Sequence, residues 1–228
     1  MNYELIEGTF VKEEKNRFIC SVIVDDKIEE CYIPSSCRLD NFLELSGKEI
    51  LLVKNKNANS RTRLSVYAIK YRQNYILLRS SEANEIIMDS MHRRMFSFLG
   101  ERSAIEREFF VEGYKADIFI PKTQTIIEIK SIISTRNDAF FPTVYSERAV
   151  EQLKKIGMLL KKGYKIVYIF VSLNPYVRSI SISDDVKENE YKNLFLKCVK
   201  EGMLVKAYSS KLESGNPTVK KEIVVYTG

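Results

Sequence analysis

Residues 115–130, KADIFIPKTQTIIEIK, bring two acids and a lysine into an arrangement that can bind a metal ion. The stretch reads as two short strands joined by a tight turn. Side chains on a strand alternate between faces, so Glu128 and Lys130 point one way with Ile126, while Ile127 and Ile129 point the other way into a core. A turn centred on Lys122 and Thr123 sets Asp117 opposite Glu128 and Lys115 opposite Lys130. Both carboxylates then share a face, one strand apart. With Cβ atoms about 4.5–5.5 Å apart the pair repels itself, which invites a cation between them. The expected ion is divalent, because Mg²⁺ is commonly held by one or two carboxylates with water and substrate phosphate completing its shell. Lys130 would then act on the phosphate or on an attacking water.

The rest of the chain must position that hairpin. A helix is expected after it, capped by Ser146 and stopped at Gly163, with Val150, Leu153 and Gly157 inward. On its neighbouring face Arg148 and Gln152 lie one turn apart and can look toward the polar side of the hairpin. KIVYIFV (165–171) is a continuous apolar run, as in a central strand covered on both faces. A further helix spans about 188–201 with Tyr191, Leu194, Phe195, Cys198 and Val199 on one face, and strands MLVKAY and EIVVY close the chain. Before the hairpin, residues 105–112 look extended, and a helix from Asn84 to Leu99 carries Ile87, Met91, Met95 and Phe98 along one side. These elements make a mixed sheet flanked by helices.

Residues 1–79 read differently. Apolar alternation in ELIEGTFV, RFICSVIV and KIEECYI, with Asp25-Asp26 as a compact turn, and further strands at EILLVK, RLSVYAIK and NYILLRS suggest a small β-barrel of the OB type. The boundary falls near Ser80, giving a barrel over 1–79 and the hairpin domain over 80–228. Between two barrel strands lies KNKNANSRTR (54–63), a basic loop with Lys54, Lys56, Arg61 and Arg63 and no acid. Beside Tyr67, Tyr71 and Tyr75 it has the composition of a surface that follows phosphates and stacks bases.

The chain has 36 basic against 30 acidic residues, a net charge of +6, which suits a polyanionic partner. Four cysteines, Cys20, Cys31, Cys37 and Cys198, show no CxxC spacing and His92 is the single histidine, so reduced thiols are expected rather than a zinc site. No signal peptide and no apolar run of transmembrane length is present, so a cytoplasmic location is expected.

The spacing Asp117-x10-Glu128-x-Lys130 is the pattern of the PD-(D/E)xK nuclease hairpin. Around it stand Arg107-Glu108, Ile127-Glu128-Ile129-Lys130-Ser131, Phe141-Pro142, Glu147-Arg148, Gly163 through Phe170-Val171, Glu190-Tyr191, Gly202 and Ala207-Tyr208. Upstream, Asn16-Arg17-Phe18, Pro34, Arg38-Leu39 and Asn84 match more loosely. Together these residues resemble the sugar fermentation stimulation protein A (SfsA) family. The resemblance implies an α/β (α+β) chain in which an OB-like barrel precedes a PD-(D/E)xK restriction-endonuclease-like domain. It implies nonspecific DNA binding and a hydrolase-like site, with Asp117 and Glu128 as ligands of Mg²⁺ or Mn²⁺ and Lys130 as the catalytic lysine. Glu108, or Asp89 on the preceding helix, would supply the remaining acid, and Gln152 and Arg148 would orient the substrate. Three positions depart from the family pattern: Thr143 replaces an Asp, Ala149 a Gly and Gln152 a His. DNA is the expected partner, with RNA, strandedness and oligomeric state left open. The alternative is a DNA-binding or regulatory protein linked to sugar metabolism that uses the scaffold without turnover, for which the basic loop and Arg93-Arg94 would suffice.

Overall fold

The computed structural model describes residues 4–34, 43–55, 60–183 and 190–227. The first six strands are β1 (Ile6–Glu13), β2 (Ile19–Val24), β3 (Lys27–Tyr32), β4 (Glu49–Lys54), β5 (Leu64–Tyr71) and β6 (Asn74–Leu77). They pair in the order β3-β2-β1-β4-β5-β6, and a parallel contact of β3 with β5 at Cys31↔Leu64 and Tyr32↔Ser65 closes five of them into a barrel. Closure pairs the outer edge of β3, and β6 remains as an extra strand on β5. The β2–β3 turn is Asp25-Asp26, both at positive φ (50° and 61°), the backbone that a two-residue hairpin loop requires and that Asp tolerates. Alternate residues Cys20, Val22 and Val24 point into the barrel core with Phe10, Ile50 and Val66. Cys20, Cys31 and Cys198 are buried free thiols, and Cys37 lies outside the described residues.

The second part contains α1 (Glu82–Ser90), β7 (Glu106–Val111), β8 (Tyr114–Ile120), β9 (Thr125–Ile132), β10 (Asp138–Phe141), α2 (Glu147–Lys161), β11 (Lys165–Ser172), β12 (Ser179–Ile182), α3 (Glu190–Lys200), β13 (Leu204–Glu213), β14 (Asn216–Glu222) and β15 (Val224–Tyr226). The main sheet runs β14-β13-β11-β9-β8-β7, and β10-β12-β15 form a small second sheet. β9, β11 and β13 are parallel at its centre. From Ile166 to Ser172 every residue of β11 is buried, as its apolar run requires. One face of the sheet packs against α2 and α3 through Ile126, Tyr168, Phe170, Leu153 and Phe195. The other face packs Ile127, Ile129, Ile169 and Val171 against α1 and against barrel residues Val53, Tyr67 and Leu77. Barrel and sheet therefore share one apolar core rather than resting on a linker. Leu77 N–H also donates to the Leu173 carbonyl (3.0 Å).

The helix expected from Asn84 to Leu99 is two elements. α1 ends at Ser90, Arg93 is extended (φ −72°, ψ 150°), and Arg94–Leu99 form a 3₁₀ turn. Side chains cause the break: Arg93 reaches out to the Val219 carbonyl (2.7 Å), and the Arg102 guanidinium donates to the carbonyls of Met91 and Arg93. The short strand β12 and the strand β14, returned by a Ser214-Gly215 turn at positive φ, were not evident from periodicity. Among the described residues no helix is long and apolar enough to cross a membrane.

α2 is placed by its cap. Ser146 is extended, and its Oγ accepts from the Ala149 N–H (3.3 Å). Ser146→Ala should cost about 1 kcal/mol and lower the melting temperature by about 2–4 °C, read from thermal unfolding curves.

Candidate active site

The hairpin register is the one its turn chemistry demands. Pro121–Thr123 form a 3₁₀ turn with Gln124 left-handed, and β8 pairs with β9 at Ile118↔Ile127, Phe119↔Ile126 and Ile120↔Thr125. One step further would set Asp117 against Glu128, and there the ladder stops. Ala116 packs into the core under α2 and α3, whereas Ile118 packs into the opposite core under α1. Strict alternation would put both on one face, so β8 switches faces at Asp117. Across from it on β7, Glu108 sits at φ 49° between the pairs Arg107↔Ile118 and Phe109↔Ala116. The freed carboxylate of Asp117 turns onto the neighbouring strand: Oδ2 accepts from the Ile129 N–H (2.7 Å) and Oδ1 from Asn84 Nδ2 of α1 (3.3 Å).

Glu128 is buried, with 2% exposure. Its Oε2 accepts from the Tyr114 hydroxyl and its Oε1 from Lys130 Nζ (2.5 Å), and Lys130 also donates to Gln152 Oε1 of α2 (2.8 Å). Asp117, Glu128, Lys130 and Gln152 thus line one cleft of about 440 Å³. Exposed Arg148 and the Phe141-Pro142 segment form one wall, and Ser80, Ser81 and Asn84 the other. Burial pushes Glu128 above the ordinary carboxylate range; the charge of Lys130 opposes that shift and the charge of Asp117 adds to it. Burial, then the charge of Glu128, also raises Tyr114, which stays a neutral donor. Behind Glu128 on β11, Tyr168 shares a buried hydroxyl contact with Tyr191 (3.0 Å).

The raised carboxyl predicts a pH dependence. A folded-state pKa above the unfolded value means that the folded protein holds a proton longer, so this contribution to stability is full below about 4.5 and is lost as pH rises through the folded pKa. Glu128→Gln preserves the shape and the acceptor without the charge. In EDTA it should melt at or above the wild type at neutral pH, with the gap closing as pH falls toward 4.5. Melting curves across that range check it.

The other expected site residues go elsewhere. Glu108 is exposed and paired with Lys115 (2.8 Å), which lowers its pKa; Asp89 is exposed on the last turn of α1. Among the described residues no three His, Cys, Asp or Glu side chains come together as a metal cluster, so neither acid completes the Asp117–Glu128 pair. The basic loop is also less cationic than its composition. Lys54 pairs with Glu4 (3.0 Å), set alongside by the β1–β4 ladder, and Arg61 pairs with Glu30 (3.3 Å) and Arg63 with Glu29 (2.7 Å), because barrel closure lays β3 and its acids alongside; Lys56 lies outside the described residues. Tyr67 is buried in the shared core, the Tyr71 hydroxyl donates to the Thr135 carbonyl, and that of Tyr75 donates to Glu49, so these rings are not an open stacking platform. Arg93 braces Val219, while Arg94 is exposed. Tyr114 and Asn84 are the contacts that sequence reasoning missed. Alternation alone assigns Tyr114 to the face opposite Asp117, and the face switch is what unites them.

An OB-type barrel fused through a common core to a restriction-endonuclease-like sheet, with an Asp, Glu and Lys in its cleft, defines a recognisable class of protein. Family models agree: the SfsA N-terminal OB domain matches residues 13–78 and the sugar fermentation stimulation protein RE domain matches residues 81–216. The chain belongs to the sugar fermentation stimulation protein family. A homologue from Pelagibacter ubique is 24% identical over 226 residues, 97% of this chain and 96% of the relative. One from Methanobrevibacter smithii is 27% identical over 185 residues, 75% of this chain and 77% of the relative. The solved structure of Pyrococcus furiosus SfsA in complex with Ca²⁺ superposes with a TM-score of 0.80 at 19% identity, covering 99% of this chain and 97% of that one.

Proposed function

We propose that this protein is a divalent-cation-dependent phosphodiesterase acting on DNA. The observation that carries this reading is the convergence of Asp117, Glu128 and Lys130 in one cleft. The donor set suits a hard cation. Two carboxylates with water and phosphate oxygens satisfy Mg²⁺ or Mn²⁺, and a buried carboxylate whose ionisation is penalised gains most from a neighbouring positive charge. That the Pyrococcus furiosus relative was solved with Ca²⁺ supports the same choice of ligand chemistry. A bound Mg²⁺ or Mn²⁺ would lower the pKa of its water and offset charge developing on the scissile phosphate. Asp117 and Glu128 would hold the ion. Each carboxylate is oriented by neutral donors, Asn84 and the Ile129 N–H for Asp117 and Tyr114 for Glu128. Lys130, braced between Glu128 and Gln152, would orient the attacking water or meet the phosphate. Arg148 at the lip of the cleft makes no salt bridge with a described residue and would contact the backbone of the substrate.

The test is incubation of single- and double-stranded DNA and of RNA with the protein in Mg²⁺, Mn²⁺ or EDTA. Cleavage of DNA with metal and none in EDTA is expected. DNA that is bound but intact in every metal would leave the reading of a binding protein without turnover.

A further inference from the structure

Away from the cleft, at the junction of barrel and sheet, three cations are held by aromatic rings instead of carboxylates. The Arg72 guanidinium lies 5.2 Å from the Tyr71 ring centre and 5.0 Å from that of Tyr176, and Lys220 Nζ lies 5.6 Å from the same Tyr176 ring. The Arg136 guanidinium lies 5.8 Å from the ring centre of Phe140, which is 43% exposed. The rings are fixed in turn. Tyr176 accepts from Asn74 Nδ2 (2.7 Å) and from the Gln73 N–H (3.3 Å), and Tyr71 donates to the Thr135 carbonyl (3.0 Å), next to Arg136. Lys220 donates to the Pro175 carbonyl (2.8 Å). Among the described residues, Arg72, Arg136 and Lys220 make no salt bridge, in contrast to Lys54, Arg61 and Arg63.

We propose that this junction is a second contact surface for the phosphate backbone of the nucleic acid whose scissile bond enters the cleft; it rests on the phosphodiesterase reading. Stacking orders a guanidinium in advance and leaves its N–H edge free, so less freedom is lost when a phosphate arrives. Arg72 and Lys220 meet the same Tyr176 ring without a salt bridge to a described residue, so an arriving anion meets two positive charges that no carboxylate offsets. Continuity with the cleft selects a polymer. β6 leads from Arg72 and Gln73 toward Ser80, and β10 leads from Arg136 to Phe141, both Ser80 and Phe141 being cleft residues. The five chain steps from Arg136 to Phe141 span at most about 18 Å, roughly five base-pair steps of duplex. One strand of DNA can therefore touch both.

The experiment measures binding of a fluorescent duplex of about 20 base pairs over a salt series, in EDTA to prevent cleavage. With Arg72→Gln, Arg136→Gln and Lys220→Gln combined, affinity at low salt should fall at least about tenfold, and the salt slope should drop by about 2 to 3. Replacing Lys54, Arg61 and Arg63 with Gln should leave that slope unchanged. The double variant Arg136→Gln/Lys220→Gln leaves the Arg72 stack in place and should lose about 2, which covers the case in which the triple variant unfolds. A folded triple or double variant with the wild-type slope would overturn the surface while leaving the cleft reading intact. A wild type that binds neither the duplex nor either of its separated strands would overturn both.

Discussion

Mn²⁺ or Mg²⁺ at about 100 times its dissociation constant is expected to raise the melting temperature by about 5–11 °C, since binding to the folded state alone contributes roughly 2.7 kcal/mol. The shift should appear in a single transition, because Val53, Tyr67 and Leu77 of the barrel share a core with Ile127, Ile169 and Val171 of the sheet. Asp117→Asn and Glu128→Gln should each remove most of it. Both substitutions keep an acceptor, for the Ile129 N–H in one case and the Tyr114 hydroxyl in the other, so loss of the shift reports charge and not collapse. The double variant should lose little more, because both carboxylates act through one ion. Additive losses would mean that they serve separate sites.

Lys130→Ala is expected to lower DNA cleavage by about 100- to 1000-fold while leaving affinity for DNA within a few-fold. One point charge adds little to a footprint of many phosphates, yet it matters greatly at the phosphate that reacts. The geometry sharpens the expectation. Lys130 Nζ is held by Glu128 and Gln152 on two different elements, β9 and α2, so its position is set before substrate arrives. Gln152→Ala should accordingly cost less than Lys130→Ala, since it loosens the lysine without removing it. Cleavage rates and binding isotherms for both variants decide. Equal turnover in Lys130→Ala and wild type would take the lysine out of the mechanism, and lost affinity would make it a binding residue.

What could be read from sequence depended on how local the determinants are. The β8–β9 register follows from a turn of a few residues, and the Ser146 cap and the fully apolar β11 are equally local. The face switch at Asp117 is not, for it depends on β7 and on the two cores that Ala116 and Ile118 enter. That switch brings in Tyr114 and Asn84, and alternation alone forbids the first. The end of α1 is decided by Val219, 126 residues from Arg93. The basic loop looked unpaired because its partners, Glu29 and Glu30, sit on a strand that only barrel closure brings alongside. Glu108 matched as an acid near the hairpin, but Lys115 holds it at the surface.

The central claim is that Asp117 and Glu128 form one cation site beside Lys130. Titration of the protein with Mn²⁺, following bound ion directly by calorimetry or by loss of the free-ion paramagnetic signal, tests it without requiring a substrate. One ion per wild-type chain is predicted, with binding lost in both Asp117→Asn and Glu128→Gln and retained in Glu108→Gln and Asp89→Asn. A wild type that takes up no Mn²⁺ at millimolar concentration, or single variants that bind it as the wild type does, would contradict the account.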